Sequence, residues 1–175
     1  MTGDRRIRKI SSKQYVRVFL GIGGNKGDVK ASVRGAYEKL DPFLHEREIS
    51  RLYLTRPKYY FDQPPFINAV ITGYTRIEPE NLLELCHKIE AEYGRDRNQE
   101  KRMGPRPLDI DILLYGSEII STDSLQIPHP RLTERKFVLI PLLELDNEIS
   151  HPRTGTDLWK FLNTLQPQGI YYASL

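Results

Sequence analysis

The segment Gly104 to Gly116, "GPRPLDIDILLYG", restricts the fold of this chain more than any other stretch. Side chains of a strand alternate between its two faces, so Asp109 and Asp111 share one face while Leu108, Ile110 and Ile112 share the other. The apolar face belongs in a core. The other face sets two like charges side by side, which requires a counter-charge nearby: an arginine, a proton shared by the pair, or a divalent cation.

The rest of the chain alternates strand and helix patterns. From Tyr15 to Ile22 the residues are mostly β-branched, aromatic or aliphatic and run into "GIGGNKGD", which predicts a strand ending in a tight glycine-rich turn. Asp28 caps a helix with Val29, Val33, Ala36, Tyr37 and Leu40 at helical spacing, stopped by Pro42. Residues 47–54 read as a second strand, "TRPKYYFDQPP" as a long surface loop, and "FINAVITGYT" as a third strand with Phe66, Asn68, Val70 and Thr72 on one face. Pro79 opens a second helix, with Leu82, Cys86, Ile89 and Tyr93 on its apolar side and Gly94 at its end.

A basic loop, "RDRNQEKRMGPR", leads into the aspartate strand. Beyond it come a short strand near Glu118 to Ile120, a helical stretch within "IPHPRLTERKFVLIPLLEL", and a last helix over Asp157 to Leu165. The order strand, helix, strand, strand, helix, strand predicts a ferredoxin-like α+β sandwich, a mainly antiparallel sheet flanked by helices. One domain is expected over 15–175, behind a flexible basic extension over 1–14.

With 175 residues the chain is long enough for one domain with a core, and its net charge of +3 is too small for the whole surface to attract nucleic acid. The single cysteine, Cys86, falls in a helical pattern and reads as a small core residue in a reducing cytoplasm. No stretch approaches the roughly 18 uninterrupted apolar residues of a membrane span. A soluble cytoplasmic protein acting on small molecules is expected, with a monomer favoured.

Arg95, Arg97, Lys101, Arg102 and Arg106 all precede the aspartates closely. They could neutralise the pair as surface salt bridges, but exposed bridges are worth at most about 1 kcal/mol each. Magnesium accounts for more, because Mg²⁺ binds through one or two carboxylates plus phosphate oxygens and water, and arginines grip phosphates with paired hydrogen bonds. Carboxylates, metal and arginines together outline a phosphoryl-transfer site. The glycine-rich segment lacks the lysine and following Ser/Thr of a P-loop, so a tight turn is its expected role, with Asn25 near the site.

Phe66 and Asn68 pair an aromatic surface with an amide, which suits a flat heterocycle; a core phenylalanine and a backbone-satisfied amide fit the residues equally well. Phe137 carries the same ambiguity. His129, between two prolines and near Arg131 and Arg135, is either structural or a phosphate or metal neighbour.

"RMGPRPLDIDILL", taken with "FLGIGGNKGD", "PPFINAVI" and "IPHPRLTERKFVLIPLLEL", resembles the 6-hydroxymethyl-7,8-dihydropterin pyrophosphokinase family of the folate pathway, from about Val16 to about Trp159. The resemblance implies transfer of diphosphate from ATP to the pterin hydroxymethyl group. It implies two Mg²⁺ ions on Asp109 and Asp111, and phosphate contacts from Arg95, Arg106 and Arg135. His129 would lie on the α-phosphate side, with Ile112 and Leu113 on the adenine side. One of Arg97, Lys101 and Arg102 would serve as a mobile clamp, and the resemblance does not say which. Phe66, Asn68 and Phe137 would form the pterin pocket, helped by backbone around Thr55 and Pro57. Where the family often has tryptophan, tyrosine and an aromatic residue, this chain has Met103, Phe66 and Pro130.

Two rival readings remain at this stage. A metal-dependent nucleotidyltransferase would use the same aspartate strand and release pyrophosphate. An RNA-binding module on a ferredoxin-like sheet would need exposed aromatics in an RNP-type strand motif, which the chain does not contain.

Overall fold

The central strand β1 (Val16–Gly24) pairs antiparallel with β4 (Phe66–Thr75) on one side and with β5 (Asp109–Tyr115) on the other. The structure, a computed structural model, describes residues 14–56, 63–97 and 104–173. The expected N-terminal extension therefore lies, except for residue 14, outside the described residues.

The main sheet has the order β5-β1-β4-β3-β8, with β3 at Tyr53–Thr55 and β8 at Ile170–Tyr172; β2 (His45–Ile49) also pairs with β4. The single strand expected over 47–54 is thus two strands placed end to end along one edge of β4. Ser50 marks the break: its N–H donates to Val70 O at 2.9 Å, and its hydroxyl accepts from Val70 N–H at 3.0 Å. A side chain replaces a rung of the ladder, and the chain bends without leaving a buried donor unpaired.

Helix α1 (Val29–Lys39) starts where Asp28 accepts a hydrogen bond from Ala31 N–H, as its sequence predicts. Helix α2 (Pro79–Glu92) has proline in its first turn and is followed by Gly94 at φ +84°, a left-handed conformation that glycine adopts without strain. Both helices cover one sheet face, where Val33, Ala36, Leu82 and Cys86 pack among Leu20, Ile71 and Ile110. Helices α3 (Lys136–Leu145) and α4 (Leu158–Thr164) cover part of the opposite face, where Leu139, Leu142 and Leu158 pack on Phe19, Val70 and Leu113. The fold is the expected α+β sandwich.

Short strands β6 (Ile120–Ser121) and β7 (Gln126–Ile127) form a small hairpin beyond β5. Among the described residues, no helix is long and apolar enough to cross a membrane. What matters for the site is the part of the second face that α3 and α4 leave uncovered, because β5 directs its aspartates there.

Candidate active site

A cleft of about 690 Å³ occupies that uncovered area. Its floor comes from β1 and β4: Gly23 lies opposite Asp109 on one side and Asn68 on the other, and Gly21 lies opposite Asp111. Gly21 falls in the expected strand, whereas Gly23 was expected in the turn but belongs to the strand, and the turn begins only at Asn25. Packing explains why. A Cβ on residue 23 would sit 2.4 Å from Ile67 O, so only glycine lets the two strands and the cleft floor come this close.

Thr55, Phe66 and Asn68 line one end of the cleft, with Leu113 and Phe137. Asn68 Nδ2 donates to Thr55 Oγ1 at 2.9 Å, which fixes the amide with its Oδ1 over Gly23. Asp109, Asp111, Arg95, Arg106, His129 and Arg135 line the other end. Of the remaining expected residues, Pro57, Lys101 and Arg102 lie outside the described residues, as does Met103.

Asp109 is held between two guanidinium groups. Arg106 Nη1 donates to its Oδ2 at 2.6 Å, and Arg95 Nη1 donates to its Oδ1. Arg95 in turn reaches Glu90 Oε1 at 2.6 Å, and Arg97 donates to Glu90 Oε2 at 2.5 Å. Glu90 also accepts the backbone N–H of Ile110 at 2.7 Å, between the two aspartates. Its carboxyl is fully buried, and burial pushes its pKa upward, against the pull of the Ile110 N–H and the arginines.

Glu90, which braces the arginines and the aspartate strand from beneath the cleft, is not singled out by the sequence reading. The signal was present: it lies four residues after Cys86, on the buried stripe of α2, where a charge requires a partner.

Among the described residues no arginine bridges Asp111. Burial in the cleft, and then the neighbouring Asp109 charge, raise its pKa to about 7, against the pull of Arg135. Two-fifths of its side chain remains accessible, because a narrow cleft displaces most of the surrounding water while leaving an open path to the carboxylate. His129 Nε2 lies 3.9 Å from Asp111 Oδ2, too far for a direct hydrogen bond. The ring is neutral, since burial and then Arg135 lower its pKa to about 4, and its Nδ1 accepts from Arg131 N–H at 3.0 Å. That assigns the proton to Nε2, facing the carboxylate.

Arg106 supplies a further clue, because its Nε is buried and has no partner among the described residues. An unsatisfied buried donor costs about 1–3 kcal/mol, so such an atom beside a carboxylate pair points to an acceptor that arrives with a ligand. Arg106 is also fixed through its backbone. Its N–H donates to Asn25 Oδ1 at 2.9 Å, and its carbonyl accepts from the N–H groups of Asn25 and Lys26. Asn25 reaches the opposite rim as well, donating to Gln63 and to Pro64 O.

A smaller chamber of about 330 Å³ opens on the far side of β5, lined by Leu83 and His87 of α2, Ile110 and Ile112, and Leu125 beside β7. It shares Arg97, Asp111, His129 and Pro130 with the larger one. Ile112 and Leu113, expected together on the adenine side, are separated here. As consecutive strand residues they point to opposite faces, Ile112 into the small chamber and Leu113 into the large one. Two concave chambers therefore meet at one carboxylate, with arginines around the junction.

The family model for 7,8-dihydro-6-hydroxymethylpterin-pyrophosphokinase matches residues 19–147. A 2-amino-4-hydroxy-6-hydroxymethyldihydropteridine pyrophosphokinase from Aquifex aeolicus is 40% identical, over 86% of this chain and 94% of that protein. The folic acid synthesis protein fol1 of Schizosaccharomyces pombe is also 40% identical, over 94% of this chain but only 22% of its own length. The chain thus corresponds to about a fifth of that longer protein. A crystal structure of the Plasmodium falciparum HPPK-DHPS shares the fold, with a TM-score of 0.67 at 15% identity over 88% of this chain and 46% of that one.

Proposed function

This chain belongs to the 7,8-dihydro-6-hydroxymethylpterin-pyrophosphokinase family, and we propose that it transfers diphosphate from ATP to the hydroxymethyl oxygen of 6-hydroxymethyl-7,8-dihydropterin, releasing AMP. The observation that carries this reading is the meeting of the two chambers at Asp111 and His129. A flat heterocycle in the larger chamber and a nucleotide base in the smaller one would bring a hydroxymethyl group and a phosphate chain to the same carboxylates.

In the larger chamber Phe66 and Phe137 offer aromatic surface to the pterin, and Asn68, held by Thr55, presents a fixed carbonyl to its N–H groups. Ile112 and Leu83 offer the adenine an apolar lining. Arg95, Arg106 and Arg135 would grip phosphate oxygens, the orphaned Arg106 Nε among the donors. Neutral His129 would donate its Nε2 proton to an oxygen near the α-phosphate.

Asp109 and Asp111 suit magnesium, which takes one or two protein carboxylates and completes its shell with phosphate oxygens and water. Two Mg²⁺ ions held there would activate the hydroxymethyl oxygen and neutralise charge on the phosphates. The hydroxyl would attack the β-phosphorus, its proton passing to water, while the bond from that phosphorus to the oxygen it shares with the α-phosphate breaks and AMP leaves, so no protein side chain need act as nucleophile. A cytoplasmic site of action fits substrates of this kind and the buried free thiol of Cys86.

Phosphorus NMR of the protein with ATP, MgCl₂ and 6-hydroxymethyl-7,8-dihydropterin tests the reading. Pterin- and Mg²⁺-dependent AMP, formed in step with a diphosphate ester, is expected. Free pyrophosphate would instead indicate nucleotidyl transfer, and intact ATP would remove the reading.

A further inference from the structure

Gln168 lies beyond the stretch matched by the family model, in a C-terminal segment that the sequence pattern leaves unassigned. Its side chain nevertheless lines the larger chamber. Helix α3 begins at Lys136 with Arg135 as its N-cap, and the Arg135 side chain makes no capping hydrogen bond. The first N–H groups of a helix have no partner within it, so something else must supply one.

Gln168 does so across 32 residues of chain. Its Oε1 accepts from Lys136 N–H at 2.8 Å, and its Nε2 donates to Glu134 O at 2.9 Å. One amide thus holds the backbone on both sides of Arg135, the residue between them. Arg135 and Phe137 project into the cleft from this point, with the guanidinium carbon 5.5 Å from the ring centroid.

Gln168 is itself held from two directions. Strand β8 pairs with β3, placing Ile170 opposite Thr55 on the other wall of the cleft, and Ala173 N–H donates to Leu52 O at 2.9 Å. Tyr172 lies against Tyr53, whose hydroxyl donates to Glu144 near the far end of α3 at 2.6 Å. The C-terminal segment therefore ties the Thr55 wall to the start of the helix that carries Phe137, while Tyr53 of that wall holds the helix near its far end.

We propose that Gln168 is a positioning residue for the reaction described above, setting the direction of Arg135 toward the phosphates and of Phe137 toward the pterin. The proposal rests on that functional reading. The bland alternative, a helix cap that only adds stability, predicts different kinetics.

The test compares wild type, Gln168→Met, Arg135→Ala and the double variant in the AMP-release assay. Gln168→Met keeps the length of the side chain and loses both hydrogen bonds. Its kcat/KM should fall by roughly 10- to 100-fold, the range expected when a reacting geometry slips by about an ångström. In the Arg135→Ala background the same substitution should cost clearly less, because one of the two groups it positions is gone and only the effect through Phe137 remains. Equal losses in both backgrounds, or a lower melting temperature with unchanged kcat/KM, would overturn the proposal. Should Gln168→Met fail to fold, Gln168→Glu carries the same cycle, since it keeps the acceptor for Lys136 and loses the donor to Glu134. A wild type that releases no AMP removes the functional reading and this inference together; an active wild type matched by Gln168→Met removes this inference alone.

Discussion

Replacing Glu90 with glutamine tests whether the arginines and the aspartate strand are held from beneath by one buried carboxylate. In the native protein Glu90 receives hydrogen bonds from Arg95, Arg97 and the N–H of Ile110. Glutamine fills the same volume but turns one acceptor oxygen into a donor that faces a guanidinium group. Breaking a buried ion pair typically costs 3–5 kcal/mol, and the lower end, about 3 kcal/mol, applies here because Arg95 keeps Asp109. At roughly 2–4 °C per kcal/mol for a chain of this size, the melting temperature should fall by about 6–12 °C. Urea unfolding measures the cost directly. Arg97→Ala is the comparison: its side chain is 45% exposed, so losing the same ion pair from the arginine side should cost no more than about 1 kcal/mol. If Glu90→Gln costs no more than Arg97→Ala, Glu90 is not the anchor described here.

Asp111→Ala should lower turnover at least 100-fold while changing the affinity for an ATP analogue far less, measured by single-turnover kinetics and calorimetry; near-normal turnover would sink the metal assignment. His129 links stability to pH. Its folded pKa of about 4 lies below the unfolded value of roughly 6.5, so the unfolded chain binds the extra proton and stability is lost as pH falls through that window. Asp111, raised to about 7, acts in the opposite sense in both proteins, so its effect cancels in the comparison and His129→Gln should gain stability relative to wild type as pH falls from 6.5 to 4 in parallel urea titrations. Cys86 is fully buried and its thiol is pushed up to about 12, so a disulfide reagent at pH 8 should leave the native protein unmodified and react only after denaturant is added.

The parts of this fold that could be read from sequence are those decided within a few residues. Asp28 caps a helix where its spacing to apolar residues indicated, the last helix lies within the expected 157–165, and Pro79 and Gly94 bracket α2. The alternation around Asp109 and Asp111 placed both in the cleft for the same reason. Most of the misreadings involve distant partners, while the separation of Ile112 from Leu113 follows from strand alternation alone. The break at Ser50 depends on Val70, the strand character of Gly23 on Ile67 and Asn68, and the role of Glu90 on a backbone group twenty residues later. Gln168 is the extreme case, since neither its composition nor its neighbours distinguish it from an ordinary surface amide.

The clasp of Asp109 between Arg95 and Arg106 has a thermodynamic consequence for whatever enters the cleft. A polyphosphate arriving alone must draw guanidinium groups away from a carboxylate and leave that carboxylate bare beside its own negative charge. A cation arriving alone must displace both arginines and leave them facing it. Only when anion and cation arrive together does each charge exchange one partner for another: arginine to phosphate, carboxylate to metal. On the proposed reading the two should bind with positive linkage, each tightening the hold on the other by the same factor.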